Sequence, residues 1–151
     1  MSACIFCQII EEKLPSYKVW ESETHLAFLS IFPNTPGVTV VIPKKHYESY
    51  AFDLPDSELQ ALVKAAQTVG KLLDDRLEVG RTALVFEGMG VNHVHAKLFP
   101  LHGTQKEGWA PVNSNIRDRP FFETYAGYLS THDGALAPKE DLEKIAKQIR
   151  G

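Results

Sequence analysis

Apolar residues along the chain change period several times, and each change marks an element. Ile5-Phe6-Cys7-Gln8-Ile9-Ile10 is a short apolar run that must end before Pro15, whose ring removes a donor and clashes with the preceding turn; it predicts a short N-terminal helix. Two aromatic and β-branched runs, 17–21 and 25–30, flank Ser22-Glu23-Thr24 and read as a hairpin. After the turn residues Asn34-Thr35-Pro36-Gly37, the stretch from Val38 to Pro43 is almost continuously apolar, as expected of a central, covered strand. Leu59, Leu62, Val63, Ala66, Val69 and Leu73 then recur at helical spacing and form one stripe. Asp53 is the expected N-cap of this helix, with Pro55, Asp56 and Glu58 in its first turn. Thr82-Ala83-Leu84-Val85 begins another strand, and a glycine-containing turn at 88–90 leads to the next, residues 91–99. A loop-like stretch and an aromatic-rich segment follow. The chain closes on an amphipathic helix with Leu142, Ile145, Ala146 and Ile149 on one side. This order predicts an α+β fold with a mainly antiparallel sheet, one long helix, a short N-terminal helix and a C-terminal helix. The expected organisation is one domain over 1–110 and a C-terminal extension over 111–151, packing on that domain or on a partner copy.

Composition narrows the function classes. The chain has 151 residues and a formal charge of −3, with its lysines and arginines dispersed. A basic nucleic-acid-binding surface is not expected, so no specific nucleic-acid partner is inferred. No run approaches the length of a membrane span, and the first residues lack the basic and apolar regions of a signal peptide. Cys4 and Cys7 are the two cysteines, too few for a disulfide framework, which fits a reducing cytoplasm.

The chemistry concentrates in two places. Cys4-x-x-Cys7 has the two-residue gap that lets two thiolates converge on one zinc ion, although a redox pair or two buried thiols show the same spacing. Four-coordinate zinc needs two further ligands, and His46 and His93 are candidates if the N-terminal segment packs at one end of the sheet. In Val91-Asn92-His93-Val94-His95-Ala96-Lys97-Leu98-Phe99, a strand would place His93, His95 and Lys97 on one face. That face is open to several readings: solvent exposure, metal binding through both histidines, a snorkelling edge lysine, or a phosphate site. In the last, a neutral imidazole is the nucleophile and Lys97 stabilises the phosphoryl charge.

Taken together, the C-x-x-C segment, Asn34-Thr35-Pro36-Gly37, Ile42-Pro43-Lys44-Lys45-His46-Tyr47 and His93-Val94-His95 resemble the histidine triad (HIT) nucleotide hydrolases and transferases. The resemblance implies a homodimer of antiparallel α+β subunits. It implies attack by the middle histidine on the α-phosphorus of a purine nucleotide ester or anhydride, such as a dinucleoside polyphosphate, and water then resolves a nucleotidyl-histidine. Carried onto this chain, His95 is the nucleophile, and Cys4, Cys7, His46 and His93 hold a structural Zn2+. Phe6, Ile9, Phe28, Leu29 and Ile31 match apolar base-binding positions. The chain departs from the pattern at four places. Lys97 stands for the third histidine. Ser30 stands for an aspartate that holds the ribose, and Phe86 for a polar asparagine. The phosphate loop is shortened around Gly88, Gly90 and Asn92, where the backbone amides of 88–91 could still cradle an anion. These departures leave a non-catalytic nucleotide-binding protein as the alternative.

Overall fold

The computed structural model describes residues 4–132 and 135–150, the side chain of Ala146 excepted. The chain divides into two compact units, Met1–Val112 and Asn113–Gly151. The first is built from α1 (Ile5–Ile10), β1 (Lys18–Glu21), β2 (His25–Leu29), β3 (Thr39–Pro43), α2 (Asp56–Arg76), β4 (Thr82–Val85) and β5 (Ala96–Pro100). Its strands form one antiparallel sheet in the order β1-β2-β3-β5-β4. The first three strands run as a meander. The long helix α2 then carries the chain across one face to the far edge, and β5 returns between β4 and β3.

The sheet separates two apolar clusters. On one face, Leu62, Ala65, Ala66, Val69 and Leu73 of α2 pack against Ala27, Val41, Val94, Ala96 and Leu98. Leu62 and Val69 are fully enclosed, and burying each contributes roughly 1.5–3 kcal/mol. On the other face, Phe6 of α1 packs with Leu26, Phe28, Val40 and Ile42. Every residue of β3 is buried because both layers cover it, in keeping with its nearly continuous apolar sequence.

Two local expectations are corrected. Asp53 does not cap α2: it ends a 3₁₀ turn, Ala51–Asp53, and Pro55 occupies the N-cap position with no side-chain cap. Leu54, buried beneath the helix start, is held extended there, consistent with the restriction a following proline imposes. Similarly, the regular strand over the histidines begins only at Ala96. Upstream, the His93 N–H bonds the Val91 carbonyl and the Val94 N–H bonds the Tyr47 carbonyl, so the backbone is committed to loops and not to a ladder.

The second unit contains α3 (Lys139–Arg150), whose Leu142, Ile145 and Ile149 are exposed. Within it, Phe122 meets Tyr128 edge-on with ring centroids 5.5 Å apart, and His132 Nε2–H donates to the Pro120 carbonyl at 2.9 Å. Among the described residues no helix is long and apolar enough to cross a membrane.

Candidate functional site

The histidine stretch keeps strand-like alternation even where it is not a strand. Val94, Ala96 and Leu98 enter the cluster beneath α2, while His93 and His95 turn to the opposite face and meet Phe6. The register extends this face across the sheet. Phe28 lies opposite Val40, Val40 opposite Lys97, and Lys97 opposite Val85. Lys97 Nζ sits 5.4 Å from the centre of the Phe99 ring, next on the same side.

One turn of α1 serves both chemical clusters. Cys4 and Cys7 bracket Phe6, whose ring is edge-on to Phe28, His93 and His95 at centroid distances of 5.4, 5.8 and 5.3 Å. The segment that supplies the sulfurs therefore also fixes the back wall of the imidazoles. Cys4, Cys7, His46 and His93 converge so that one donor atom from each lies within 4.8 Å of all the others. His93 Nδ1 is 3.5 Å from Cys4 Sγ, 3.6 Å from Cys7 Sγ and 3.2 Å from His46 Nδ1, and Cys7 Sγ is 3.4 Å from His46 Nδ1. A tetrahedral ion with usual zinc bond lengths needs ligand separations of about 3.3–3.8 Å. The donor set and its spacing thus fit zinc.

The tautomers follow from the backbone. His93 Nε2 is 2.9 Å from the Pro43 carbonyl, and His95 Nδ1 is 2.7 Å from the His93 carbonyl. A carbonyl oxygen only accepts, so each of these nitrogens carries the proton. The neutral rings then present lone pairs on His93 Nδ1, within the Cys/His cluster, and on His95 Nε2. Burial lowers the pKa of both. For His95, the His93 carbonyl opposes this, Lys97 lowers the pKa further and Glu87 raises it. For His93, the Pro43 carbonyl opposes burial, and His46 and His95 add to the lowering.

The remaining sequence candidates separate. Phe6 and Phe28 are buried together, with Ile9 packed against them. Leu29, two residues from Ala27 on β2, follows Ala27 to the α2 face, and Ile31 is 68% exposed. Ser30 Oγ accepts the Phe32 N–H at 3.2 Å. Phe86 packs into the cluster beneath α2, away from His95, because it continues the alternation of β4. Gly88 has φ +71° and a Cβ there would lie 2.7 Å from the Ser49 carbonyl oxygen, so this loop requires glycine. Asn92 Oδ1 accepts the Ser49 N–H at 2.9 Å, tying the two loops together, while Gly90 is exposed. Motif reading passed over Pro43, which sets the His93 tautomer, and Glu87, whose charge reaches His95. Glu87 lies two residues beyond Val85, past the end of β4.

An α+β sheet with a histidine pair and a Cys/His cluster on one face defines the class. The sequence matches the HIT domain over residues 11–104, and the chain belongs to that family. Protein hit of Bacillus subtilis is 36% identical over 151 residues, covering 97% of this chain and 91% of that protein. The adenosine 5'-monophosphoramidase of Saccharomyces cerevisiae is 35% identical over 100 residues, covering 66% and 63%. A crystal structure of a HIT-family member from Bacillus subtilis superposes with a TM-score of 0.65 at 30% identity, covering 99% of this chain and 96% of that one. The domain match begins after Cys4 and Cys7, so their part in a metal site is argued from the distances above and not from the match.

Proposed function

We propose that this protein hydrolyses or transfers nucleotides at the α-phosphorus, through a nucleotidyl intermediate on His95. The observation that carries the reading is the 2.7 Å bond from His95 Nδ1–H to the His93 carbonyl. It leaves the Nε2 lone pair for phosphorus, and burial favours the neutral, nucleophilic ring. In the first step Nε2 attacks the phosphorus and the leaving group departs. Lys97, on the same face, stabilises charge on the phosphoryl oxygens. Phe6 and Phe28 support an apolar slot for a purine base, with Ile9 and the exposed Ile31 at its margin, and Ser30 is the nearest substitute for a ribose-binding carboxylate. Gly88 and Gly90 keep the phosphate loop open to a close approach of backbone. The activity named for the yeast relative makes an adenosine phosphoramidate the first substrate to try, and a dinucleoside polyphosphate the second.

Zinc is assigned to Cys4, Cys7, His46 and His93. When bound it supplies structure: it ties the first turn of α1 to the segment after β3 and to His93. The protein is assigned to a reducing cytoplasm, where both thiols stay available. A homodimer is favoured because β4 is an edge strand and its Leu84 is exposed.

The test is release of AMP from adenosine 5'-phosphoramidate by wild-type protein and by His95→Ala. The reading expects turnover by the first and a loss of at least about a thousandfold in the second, as for removal of a nucleophile. Equal rates would refute it. Lys97 favours a second reading, nucleotide binding without turnover, because an ammonium is not a ready proton shuttle. That reading expects nucleotide to raise the melting temperature while no product forms.

A further inference from the structure

The helix α1 is six residues long and has little of its own to hold it. Its N-cap is Cys4, with no side-chain cap bond, and no acidic residue stands in its first turn. A helix this short depends on tertiary contacts. The sulfurs of Cys4 and Cys7 gather at His93 Nδ1, 3.5 and 3.6 Å away. Phe6, between them in sequence, lies edge-on to His93 and His95 at 5.8 and 5.3 Å. We propose that Cys4 and Cys7 are an oxidation site for hydrogen peroxide, whose disulfide releases zinc and withdraws Phe6 from His95. The site rests on the zinc assignment, and its effect on turnover rests on the reading of His95 as nucleophile.

Three features carry it. The two cysteines are one helical turn apart, which sets their Cα atoms about 5 Å from each other, within the span a disulfide bridges. Their sulfurs already face one point, and both residues are half-buried, so a molecule as small as peroxide reaches them. The turn also cannot serve both states with one shape. Around zinc the sulfurs stand about 3.8 Å apart. In a disulfide they close to bonding distance, and neither keeps the charge that makes a thiolate a ligand. The backbone then changes at both flanks of Phe6. Contact with Phe28, at 5.4 Å, keeps the change to a local shift of the ring against the imidazoles. The two-residue gap thus works both as a zinc clasp and as a redox pair.

The oxidation balances as follows. One thiolate attacks a peroxide oxygen: an S–O bond forms, the O–O bond breaks and hydroxide leaves. The second thiolate attacks the sulfenic sulfur: the S–S bond forms, the S–O bond breaks and a second hydroxide leaves. Two protons from solvent turn both hydroxides into water. The thiolates lose two electrons and the peroxide gains them. In a reducing compartment a dithiol reverses the change by exchange.

The experiment titrates full-length, zinc-loaded protein with hydrogen peroxide. Intact mass should fall by two hydrogens, with one zinc released to a chromogenic chelator per disulfide formed. NMR signals of the His95 ring, assigned with His95→Ala, should move in step with the disulfide, and a dithiol with added zinc should return them. In Phe6→Leu the same oxidation should move them much less, because no aromatic ring leaves. Formation of the adenylyl adduct on His95 should slow by about a hundredfold, the scale of a small misplacement at a reacting group. Protein that holds no zinc, zinc kept after the disulfide forms, oxidation without a disulfide, still His95 signals, or an equal shift in Phe6→Leu would each overturn the proposal. If zinc leaves and the His95 signals move but neither redox form ever carries an adduct on His95, the reading of His95 as nucleophile fails and the oxidation site stands. If reduced protein forms the adduct and oxidised protein forms it equally fast, this proposal alone fails.

Discussion

His93 donates its Nε2–H to the Pro43 carbonyl at 2.9 Å, and the consequence falls on the other side of the ring. The bond fixes the Nδ1 lone pair towards Cys4, Cys7 and His46. A strand-end carbonyl thus orients the lone pair of a proposed zinc ligand, the role outer partners commonly play around zinc. Cys4→Ser should therefore yield protein with far less than one zinc per chain, and a melting temperature lower by at least about 5 °C. Elemental analysis and thermal unfolding with and without chelator check both. Full zinc content in Cys4→Ser would remove Cys4 from the site.

Phe6 supports two clusters at once. Phe6→Ala should cost about 3 kcal/mol, the range of large-to-small core changes, and should also weaken zinc retention, because the ring holds His93 as well as Phe28. Phe86→Leu is the control from the opposite face. It should cost about 1 kcal/mol and leave KM for a nucleotide unchanged. Denaturant unfolding and steady-state kinetics on the pair check whether the two faces act separately.

Gly88 tests the loop. Gly88→Ala puts a side chain at positive φ and 2.7 Å from the Ser49 carbonyl oxygen. Destabilisation of about 1–3 kcal/mol is expected, together with reduced activity, since the loop leads into the histidines. A neutral Gly88→Ala would mean that the 47–49 and 86–92 segments are not held as described.

His25 gives the pH dependence. It is buried on β2, its Nδ1 lies 2.8 Å from Thr24 Oγ1, and its Nε2 has no hydrogen-bond partner among the described residues. Burial lowers its pKa, and Glu58 opposes this. The unfolded chain, with a histidine near 6.5, then binds the proton first as pH falls. The contribution to stability is complete above about pH 6.5 and is lost as pH drops through the folded value. NMR titration should show the His25 ring neutral at a pH where a model peptide is half protonated, and a midpoint at or above the peptide value would contradict this.

Much of the fold was legible because period and burial agree. The nearly continuous apolar run Val38–Pro43 holds the covered middle strand, and the stripe from Leu59 to Leu73 is the helix face. Alternation alone also placed His93, His95 and Lys97 on one side. What failed was set by contacts distant in sequence. Asp53 has cap chemistry, but the chain needed a 3₁₀ turn to bury Ala51 and Leu54 before the helix could start. Phe86 was matched by motif, yet its strand parity sends it to the helix side. The convergence of Cys4 and Cys7 with His46 and His93, by contrast, was expected from the family resemblance and is found in the structure, although no local spacing contains it.

The most direct test of the central claim is the mass of the intact protein quenched during turnover of adenosine 5'-phosphoramidate, followed by peptide mapping. The account predicts an added adenylyl group on His95, absent from His95→Ala. An adduct on another residue, or AMP release by His95→Ala at the wild-type rate, would contradict it.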